Sequence, residues 1–196
     1  MKKILVFIDW YLPGYKAGGP VRSLANMVAC LRENYQFHVV CLNTDYLENT
    51  PYPDIRTGEW NKLSENEFVW YVSENELSVK LVKELIAEKD YELVYINGIY
   101  SFYFSILPLI YSKRLKVKKI VVAPRGMFSQ QAFTAKKLKK KLFLAFARIS
   151  GLYKNIIFHV TSKSEEIDIL KLKPGNAGAI LLPNLPPVTK TSLKEN

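Results

Sequence analysis

The chain has 196 residues, of which 48% are apolar and 13% are aromatic. This length and composition exclude an intrinsically disordered chain and favour one large domain with a packed core. No stretch of about 18 residues is apolar throughout, and the first apolar run has only strand length and contains Asp9. We therefore expect neither a membrane-spanning helix nor a secretory signal, and we expect a cytoplasmic protein.

The net charge of +10 is concentrated in the second half of the chain. Residues 1–112 include 10 basic and 14 acidic side chains, whereas residues 113–196 include 18 basic and 4 acidic ones. Two lysine-rich clusters, at 113–119 and 136–141, carry much of the excess. Such clusters are typical of surfaces that bind nucleic acid, an anionic membrane or an acidic substrate, and also of faces that are only solvated.

The first predicted strand, at residues 3–9, is a continuous apolar run of the kind found in sheets buried on both faces. The sequence KAGGPVRSL follows it and opens an amphipathic helix that continues to Leu31. Gly18 and Gly19 allow a turn with positive φ, and Pro20 suits the first helical position. The free N–H groups at this helix end predict a site for a phosphate or a polar sugar, with a plain turn as the alternative.

Strands and helices alternate along the rest of the chain. The interval 43–62 is rich in turn formers and is predicted to be a long irregular excursion. Alternation of this kind predicts βαβ units. We expect an α/β, Rossmann-like, three-layer domain at residues 1–184, with a mainly parallel sheet of about seven strands, and a linker or tail at 185–196. Further strands are predicted at 37–42, 68–72, 92–96, 119–123, 156–161 and 179–182, and further helices at 76–88, 101–111, 132–152 and from Ser162 onward.

Polar residues and glycines follow three of the predicted strands. They are Asp9 and Trp10 after the first strand, Asn97 and Gly98 after the fourth, and Arg125 and Gly126 after the fifth. Because ligands bind at the carboxyl ends of the strands in an open parallel sheet, we expect these residues to share one rim with the Gly18–Gly19 turn. The guanidinium of Arg125 could bind a phosphate or a carboxylate in a bidentate manner, or form only a surface salt bridge.

Several familiar chemistries lack their motifs in this chain. The sequence contains neither GxGxxG nor GxxxxGK[ST], no Asp-x-Asp pair for a divalent metal and no GxSxG serine. His38 and His159 fall inside predicted strands, where packing is the expected role of a histidine. What remains is recognition of polar ligands by backbone amides, an amide side chain and an arginine, with no metal and no cofactor.

Five segments stand in a characteristic order: KAGGPVRSLANMV, YINGIYSF, APRGMFSQQAF before a lysine-rich helix, FHVTSKSEE and LPNLPP. Together they resemble the N-terminal, acceptor-side domain of a GT-B glycosyltransferase of family 4, of the kind found in bacterial surface polysaccharide synthesis. The resemblance covers nearly the whole chain. It implies retaining, metal-independent transfer of a sugar from a nucleotide-diphospho-sugar, the donor substrate, to a sugar or lipid-linked sugar acceptor.

The resemblance also implies roles for the residues of the predicted rim. The Gly18–Gly19 turn would approach the donor phosphates or the transferred sugar. Asn97 stands where many relatives have a histidine that contacts this sugar, and an amide would position the sugar without transferring protons. Arg125 and Gly126 would line the acceptor side of the cleft. Met127 stands where many relatives have an acidic residue.

The chain ends where this family crosses into its second domain. The lysine, the arginine and the paired glutamates that bind the donor there are not in this sequence. The resemblance therefore implies a C-terminal donor-binding domain as the missing partner, and no turnover by this chain alone.

The predicted helix at 132–152 has two contrasting sides. Its lysines at one side are candidates for contact with an anionic membrane, which would place the protein on the inner face of the plasma membrane. Its apolar side is alternatively expected to pack in the core. The lysines are Lys136, Lys137, Lys139, Lys140 and Lys141, and the apolar residues are Leu138, Leu142, Ala145, Phe146 and Ile149.

A different class of function is a non-catalytic module with this fold, which docks on a membrane or on nucleic acid. We expect no nucleic acid as partner, because the sequence contains no recognised nucleic-acid-reading motif.

Overall fold

The computed structural model describes residues 1–128, 137–171 and 178–188. Its strands are β1 (Lys2–Phe7), β2 (Tyr35–Leu42), β3 (Trp60–Ser64), β4 (Glu67–Val72), β5 (Leu93–Asn97), β6 (Ile120–Ala123), β7 (Ile157–Val160) and β8 (Gly178–Leu181). They form one sheet in the order β3-β4-β2-β1-β5-β6-β7-β8. Every neighbouring pair is parallel except β3 with β4, which is antiparallel.

The helices are α1 (Gly19–Leu31), α2 (Val79–Ala87), α3 (Leu107–Arg114), α4 (Lys137–Ile149) and α5 (Lys163–Lys171). Pro20 lies in the first turn of α1, and the Ser78 hydroxyl caps α2 by accepting a hydrogen bond from the N–H of Leu81. A single 3₁₀ turn precedes α2, and a π-helical turn precedes α3. The chain thus has the predicted α/β, Rossmann-like fold.

The helices are divided unequally between the two faces of the sheet. Leu24 and Val28 of α1 pack with Val6 and Val39 in one apolar cluster, and α2, α3, α4 and α5 contribute to a second cluster on the other face. Successive strand residues alternate between the clusters, as a sheet buried on both faces requires. Among the described residues α1 is the one helix on its face, and a trough of about 430 Å³ beside it crosses β1, β5, β6, β7 and β8.

The order of the strands reverses at β1. The chain leaves β1 for β2 on one side and later returns to place β5 on the other side. The loops after β1 and β5 therefore diverge and leave a crevice at their carboxyl ends, which is where open α/β sheets bind ligands.

The sequence interpretation missed one strand. The excursion predicted at 43–62 ends in β3, which begins at Trp60 and raises the number of strands from seven to eight. The sequence WNKLS is too polar to read as a strand. It pairs as an antiparallel edge because Trp60 packs against the His38 ring at 5.0 Å and the Trp70 ring at 5.5 Å.

The helix boundaries also differ from the predicted ones. The helix predicted from residue 76 begins at Val79, since a 3₁₀ turn occupies Glu74–Glu76. The helix predicted at 101–111 is split into the π turn Phe102–Ile106 and α3, with Pro108 in the first turn of α3 where its missing N–H is tolerated. For α4, the predicted start at 132 lies outside the described residues, and the helix ends at Ile149.

The prediction that the apolar side of α4 packs in the core is wrong for its described side chains. Leu142, Ala145, Phe146 and Ile149 are exposed, and the helix packs through Phe143, Leu144 and Ala147 instead. Lys136 lies outside the described residues, while the backbone of Lys137, Lys139, Lys140 and Lys141 belongs to α4. Of the helices in the described ranges, none is long and apolar enough to cross a membrane.

The first residues of the predicted tail are exposed but contact α1. The Asn26 side-chain amide donates to the Leu185 carbonyl oxygen at 3.0 Å, and the Cys30 thiol lies 4.0 Å from the Pro186 carbonyl oxygen. The chain therefore returns from β8 to α1, and residues 189–196 lie outside the described part.

Candidate functional site

A cavity of about 340 Å³ opens at the carboxyl ends of β1 and β5, in the crevice where the strand order reverses. Its apolar lining includes Ile8, Pro20, Val21 and Met127, and its polar and aromatic lining comes from Asp9, Trp10, Lys16, Tyr46 and Asn97. A largely preformed cavity with a few convergent polar groups is the usual form of a small-molecule site.

Asp9 follows β1 and lies in the lining of the cavity. Its backbone carbonyl accepts a hydrogen bond from the N–H of Leu42 at 3.0 Å, which fixes the chain as it leaves the sheet. Burial raises the pKa of its carboxyl group, and a hydrogen bond with the Ser101 side chain partly offsets that rise. The site thus contains a desolvated carboxyl group that can accept hydrogen bonds from a ligand.

Asn97 ends β5 and is only 3% exposed. Its Oδ1 accepts a hydrogen bond from Arg125 Nε at 3.2 Å, and its Nδ2 has no partner among the described residues. The arginine fixes the amide orientation, because a guanidinium can only donate and must face the oxygen. A buried N–H without a partner costs about 1–3 kcal/mol, so this amide is suited to a ligand that brings an acceptor.

Arg125 stands behind Asn97 and not in the cavity lining. Its Nη1 donates to Asn184 Oδ1 at 2.8 Å and its Nη2 to the Tyr95 hydroxyl at 3.0 Å. Within the described ranges Arg125 forms no ion pair, so the surface salt bridge that was the alternative explanation is wrong there. The guanidinium joins the ends of β5 and β8 and holds the amide in place.

A series of hydrogen bonds continues from Arg125 across one face of the sheet. The Tyr95 hydroxyl lies 2.7 Å from His159 Nδ1, and His159 Nε2 lies 3.0 Å from the carbonyl oxygen of Leu182. If the tyrosine accepts from Arg125 it donates to Nδ1, which assigns the histidine proton to Nε2 and the donation to Leu182. Burial lowers the pKa of His159, which agrees with a neutral ring and with the predicted packing role.

The loop between β1 and α1 is fixed by Asp45. The carboxylate of Asp45 accepts hydrogen bonds from the backbone N–H groups of Tyr15 at 2.9 Å and Lys16 at 3.2 Å. Burial works against ionisation, but the N–H groups of Tyr15, Tyr46 and Lys16 outweigh it and lower the pKa of Asp45. Lys16 also pairs with Glu48, so the 43–59 excursion and the glycine loop are held together at the cavity mouth.

The Gly18–Gly19 turn lies between two residues of the cavity lining, and neither glycine lines the cavity itself. Gly18 has φ 73°, and its N–H donates to the Tyr15 carbonyl oxygen at 2.9 Å. Ala17 and Pro20, on either side of the turn, both line the cavity. The first turn of α1, whose N–H groups lack intrahelical acceptors, therefore begins at the cavity wall.

Gly126 is not part of the cavity lining, and its N–H group contacts α5 instead. It has φ 74°, and its N–H donates to Glu165 Oε1 at 2.6 Å. Glu165 Oε2 also accepts from the N–H of Thr161 at 2.8 Å, while Ser162 caps α5 by accepting from the N–H of Glu165. Ser162 and Glu165 therefore form only half of a capping box, because the glutamate side chain binds the end of β6 instead of the N–H of Ser162.

The sequence interpretation placed Asp9 and Trp10 on the rim without a role and missed Lys16 and Tyr46. The rings of Trp10 and Tyr46 meet edge to face with centroids 4.9 Å apart. Tyr46 reaches the cavity because the 43–59 excursion folds back, with a bridge between Thr44 and Pro51. A long-range return of a loop leaves no local pattern in the sequence, although a tyrosine-rich excursion is itself a signal.

No protein-family model matches this chain, and no curated protein matches it either. Among solved structures, a dTDP-glucose 4,6-dehydratase from Bacillus anthracis in complex with NAD aligns with 13% identity and a TM-score of 0.44, over 83% of this chain and 55% of that chain. A structure assigned to a short-chain alcohol dehydrogenase from Burkholderia multivorans aligns with 12% identity and a TM-score of 0.41, over 94% of this chain and 97% of that one. At this identity the similarity concerns the fold alone.

Proposed function

We propose that the chain is the acceptor-side domain of a retaining, metal-independent glycosyltransferase of the GT-B type. It would act in the transfer of a sugar from a nucleotide-diphospho-sugar to a saccharide or lipid-linked saccharide. The observation that carries the proposal is the cavity at the strand reversal, which is lined by a carboxyl group, an aromatic pair and an amide whose N–H has no partner in the described part of the chain. The resemblance of the five sequence segments supplies the reaction class.

The chemistry of the cavity suits a sugar ring. Each sugar hydroxyl both donates and accepts hydrogen bonds, and neighbouring hydroxyls offer both functions side by side. The Asp9 carboxyl accepts and the Asn97 amide donates, so together they complement such a pair. The ring of Trp10, held by Tyr46, offers an apolar surface to the C–H face of the sugar.

The start of α1 suits the phosphate of a donor. Helix N-termini attract anions through free N–H groups and the helix dipole. In this proposal Gly18 sets the turn that presents those groups, Arg125 holds Asn97, and Asn97 positions the sugar. None of these three side chains or backbone groups transfers a proton.

The connection between β1 and α1 favours a sugar over a dinucleotide. Dinucleotide-binding folds use a short glycine-rich turn, so that the pyrophosphate sits directly on the first helix. Here residues 8–18 form a long loop that Asp45 holds in place, and the GxGxxG spacing is missing from the sequence.

Saturation-transfer NMR on the 196-residue chain tests the proposal, with methyl glucoside, methyl galactoside and methyl mannoside as probes and NAD as a comparison. We expect saturation of at least one glycoside and none of NAD. Asn97→Asp retains an acceptor for Arg125 but removes the amide donor, and Asp9→Asn keeps the shape but removes the carboxylate. Each should weaken glycoside binding roughly tenfold, the value of one or two hydrogen bonds.

Asn155→Asp is the matched control, because Asn155 is exposed beyond α4, before β7, and lies outside the cavity lining. It should bind as the unmodified chain does. Glycoside binding that is unchanged in both site variants, or NAD saturation without any glycoside, would overturn the proposal.

A further inference from the structure

Helix α4 presents an apolar stripe to solvent. Leu142 is 63% exposed, Phe146 58% and Ile149 87%. Their spacing of four and three residues places them on one face of the helix, while Phe143, Leu144 and Ala147 occupy the face that packs on the domain. The helix therefore has two apolar faces, and the described part of the domain packs against one of them while the other is exposed.

Positive charge surrounds this stripe. Arg148 is exposed on α4, and Arg114 at the end of α3 and Lys116 in the turn after α3 are also exposed. That turn lies close to the end of α4, since Lys113 Nζ donates to the carbonyl oxygen of Gly151 at 3.1 Å. Residues 113–164 include 14 basic side chains and no acidic one.

The helical repeat arranges these charges around the stripe. At about 100° per residue, the backbone positions 139 and 141 lie about 20° and about 80° outside the two edges of the stripe, and position 148 lies about 20° from position 141. An apolar stripe with basic residues along both borders is the pattern of a helix that lies in the plane of a membrane interface. Long basic side chains at such borders can extend toward lipid headgroups.

We propose that the stripe of Leu142, Phe146 and Ile149, with its basic border, docks on an anionic lipid bilayer. The acyl region would take the three apolar side chains and the phosphate headgroups would take the charges. A nucleic acid would satisfy only the charges, and the three large apolar side chains would remain in water. This inference rests on α4 and the turn after α3, and does not depend on the proposed function.

Co-sedimentation with vesicles tests it on the full chain. The probes are vesicles of phosphatidylcholine alone and of phosphatidylcholine mixed with phosphatidylglycerol, at low and at physiological salt. We expect binding to the anionic vesicles only, weakened by salt. The double variant Phe146→Asp with Ile149→Asp should lower the bound fraction roughly tenfold or more, because charged side chains replace the apolar ones that enter the bilayer.

The double variant Leu47→Asp with Val79→Asp is the matched control. It introduces the same charge at exposed apolar positions that lie on a loop and on α2. It should bind vesicles as the unmodified chain does, and circular dichroism should show all three proteins folded. Absence of binding to anionic vesicles at low salt overturns the inference. An equal loss in the two double variants also overturns it, because charge alone would then explain the binding, as for a nucleic acid.

Discussion

The orientation of the buried Asn97 side-chain amide is determined by its neighbour Arg125. An asparagine can present either its oxygen or its nitrogen to a ligand, and here Arg125 occupies the oxygen and leaves the nitrogen as donor. Arg125 is itself held by Tyr95 and Asn184, so the orientation is built into the domain before a ligand arrives. Preorganisation of this kind lowers the entropic cost of binding.

For single residues, the sequence predicts the place of a side chain in the fold better than its hydrogen-bond partners. Asn97 and Arg125 could be placed on one rim because both follow parallel strands, and the structure brings them into contact. The role of Arg125 as a support for Asn97 could not be predicted. It depends on Asn184, which lies 59 residues away along the chain and follows β8, whereas Arg125 follows β6.

Gly18→Ala and Gly19→Ala form a matched pair that tests the turn before α1. Neither added Cβ would meet an atom within 4 Å, so the two changes differ only in backbone conformation. Gly18 has φ 73° and ψ −126°, which an alanine adopts at a cost of roughly 1–3 kcal/mol, whereas Gly19 is helical. Urea unfolding should show this loss for Gly18→Ala and a change of less than about 0.5 kcal/mol for Gly19→Ala. Equal losses would contradict the assignment.

The edge strand β3 is an element that its own sequence does not predict. Its residues lack the alternation of a strand, and its position is determined by Trp60, whose Nε1 donates to the Glu88 carboxylate at 2.9 Å. The same ring meets the His38 ring edge to face, and His38 stacks on Phe68 at 5.3 Å. Helix α4 gives the opposite error. Its apolar residues predict burial, but the structure exposes several of them.

The aromatic cluster at β3 predicts a pH effect on stability. Burial, with a contribution from Lys89, lowers the pKa of His38 to about 4. The unfolded chain binds a proton at this histidine below about pH 6.5, so the free energy of unfolding should fall as the pH drops from about 6.5 to 4, by up to roughly 3 kcal/mol. His38→Phe removes this titration.

Urea unfolding at several pH values measures the effect. The free energy of unfolding of His38→Phe should depend less steeply on pH between 6.5 and 4, with part of the slope retained because the pKa of His159 is also lowered. Parallel curves for the two proteins would show that the pKa of His38 is the same in the folded and the unfolded chain, and would contradict this prediction.

At the scale of the whole molecule, topology determines where the site lies. A parallel sheet whose order reverses at β1 must open at the carboxyl ends of β1 and β5, and the sequence predicts both strands. The fold and the place of the cavity were therefore predictable. The pairing of Trp10 with Tyr46 in the cavity lining was not predictable. Tyr46 reaches the cavity through a loop whose course depends on Asp45 and on the glycine loop together.

Trp10 provides the most direct test of the sugar site. The chain has three tryptophans, and Trp60 and Trp70 pack against each other near the β3 edge, outside the lining of the cavity. With 5-fluorotryptophan incorporated, the ¹⁹F NMR spectrum should contain three resonances, and Trp10→Phe assigns one of them. Addition of the glycoside found by saturation transfer should shift the Trp10 resonance and leave the other two in place. A glycoside that binds without shifting the Trp10 resonance, or that shifts Trp60 or Trp70 instead, would contradict a sugar site at the strand reversal.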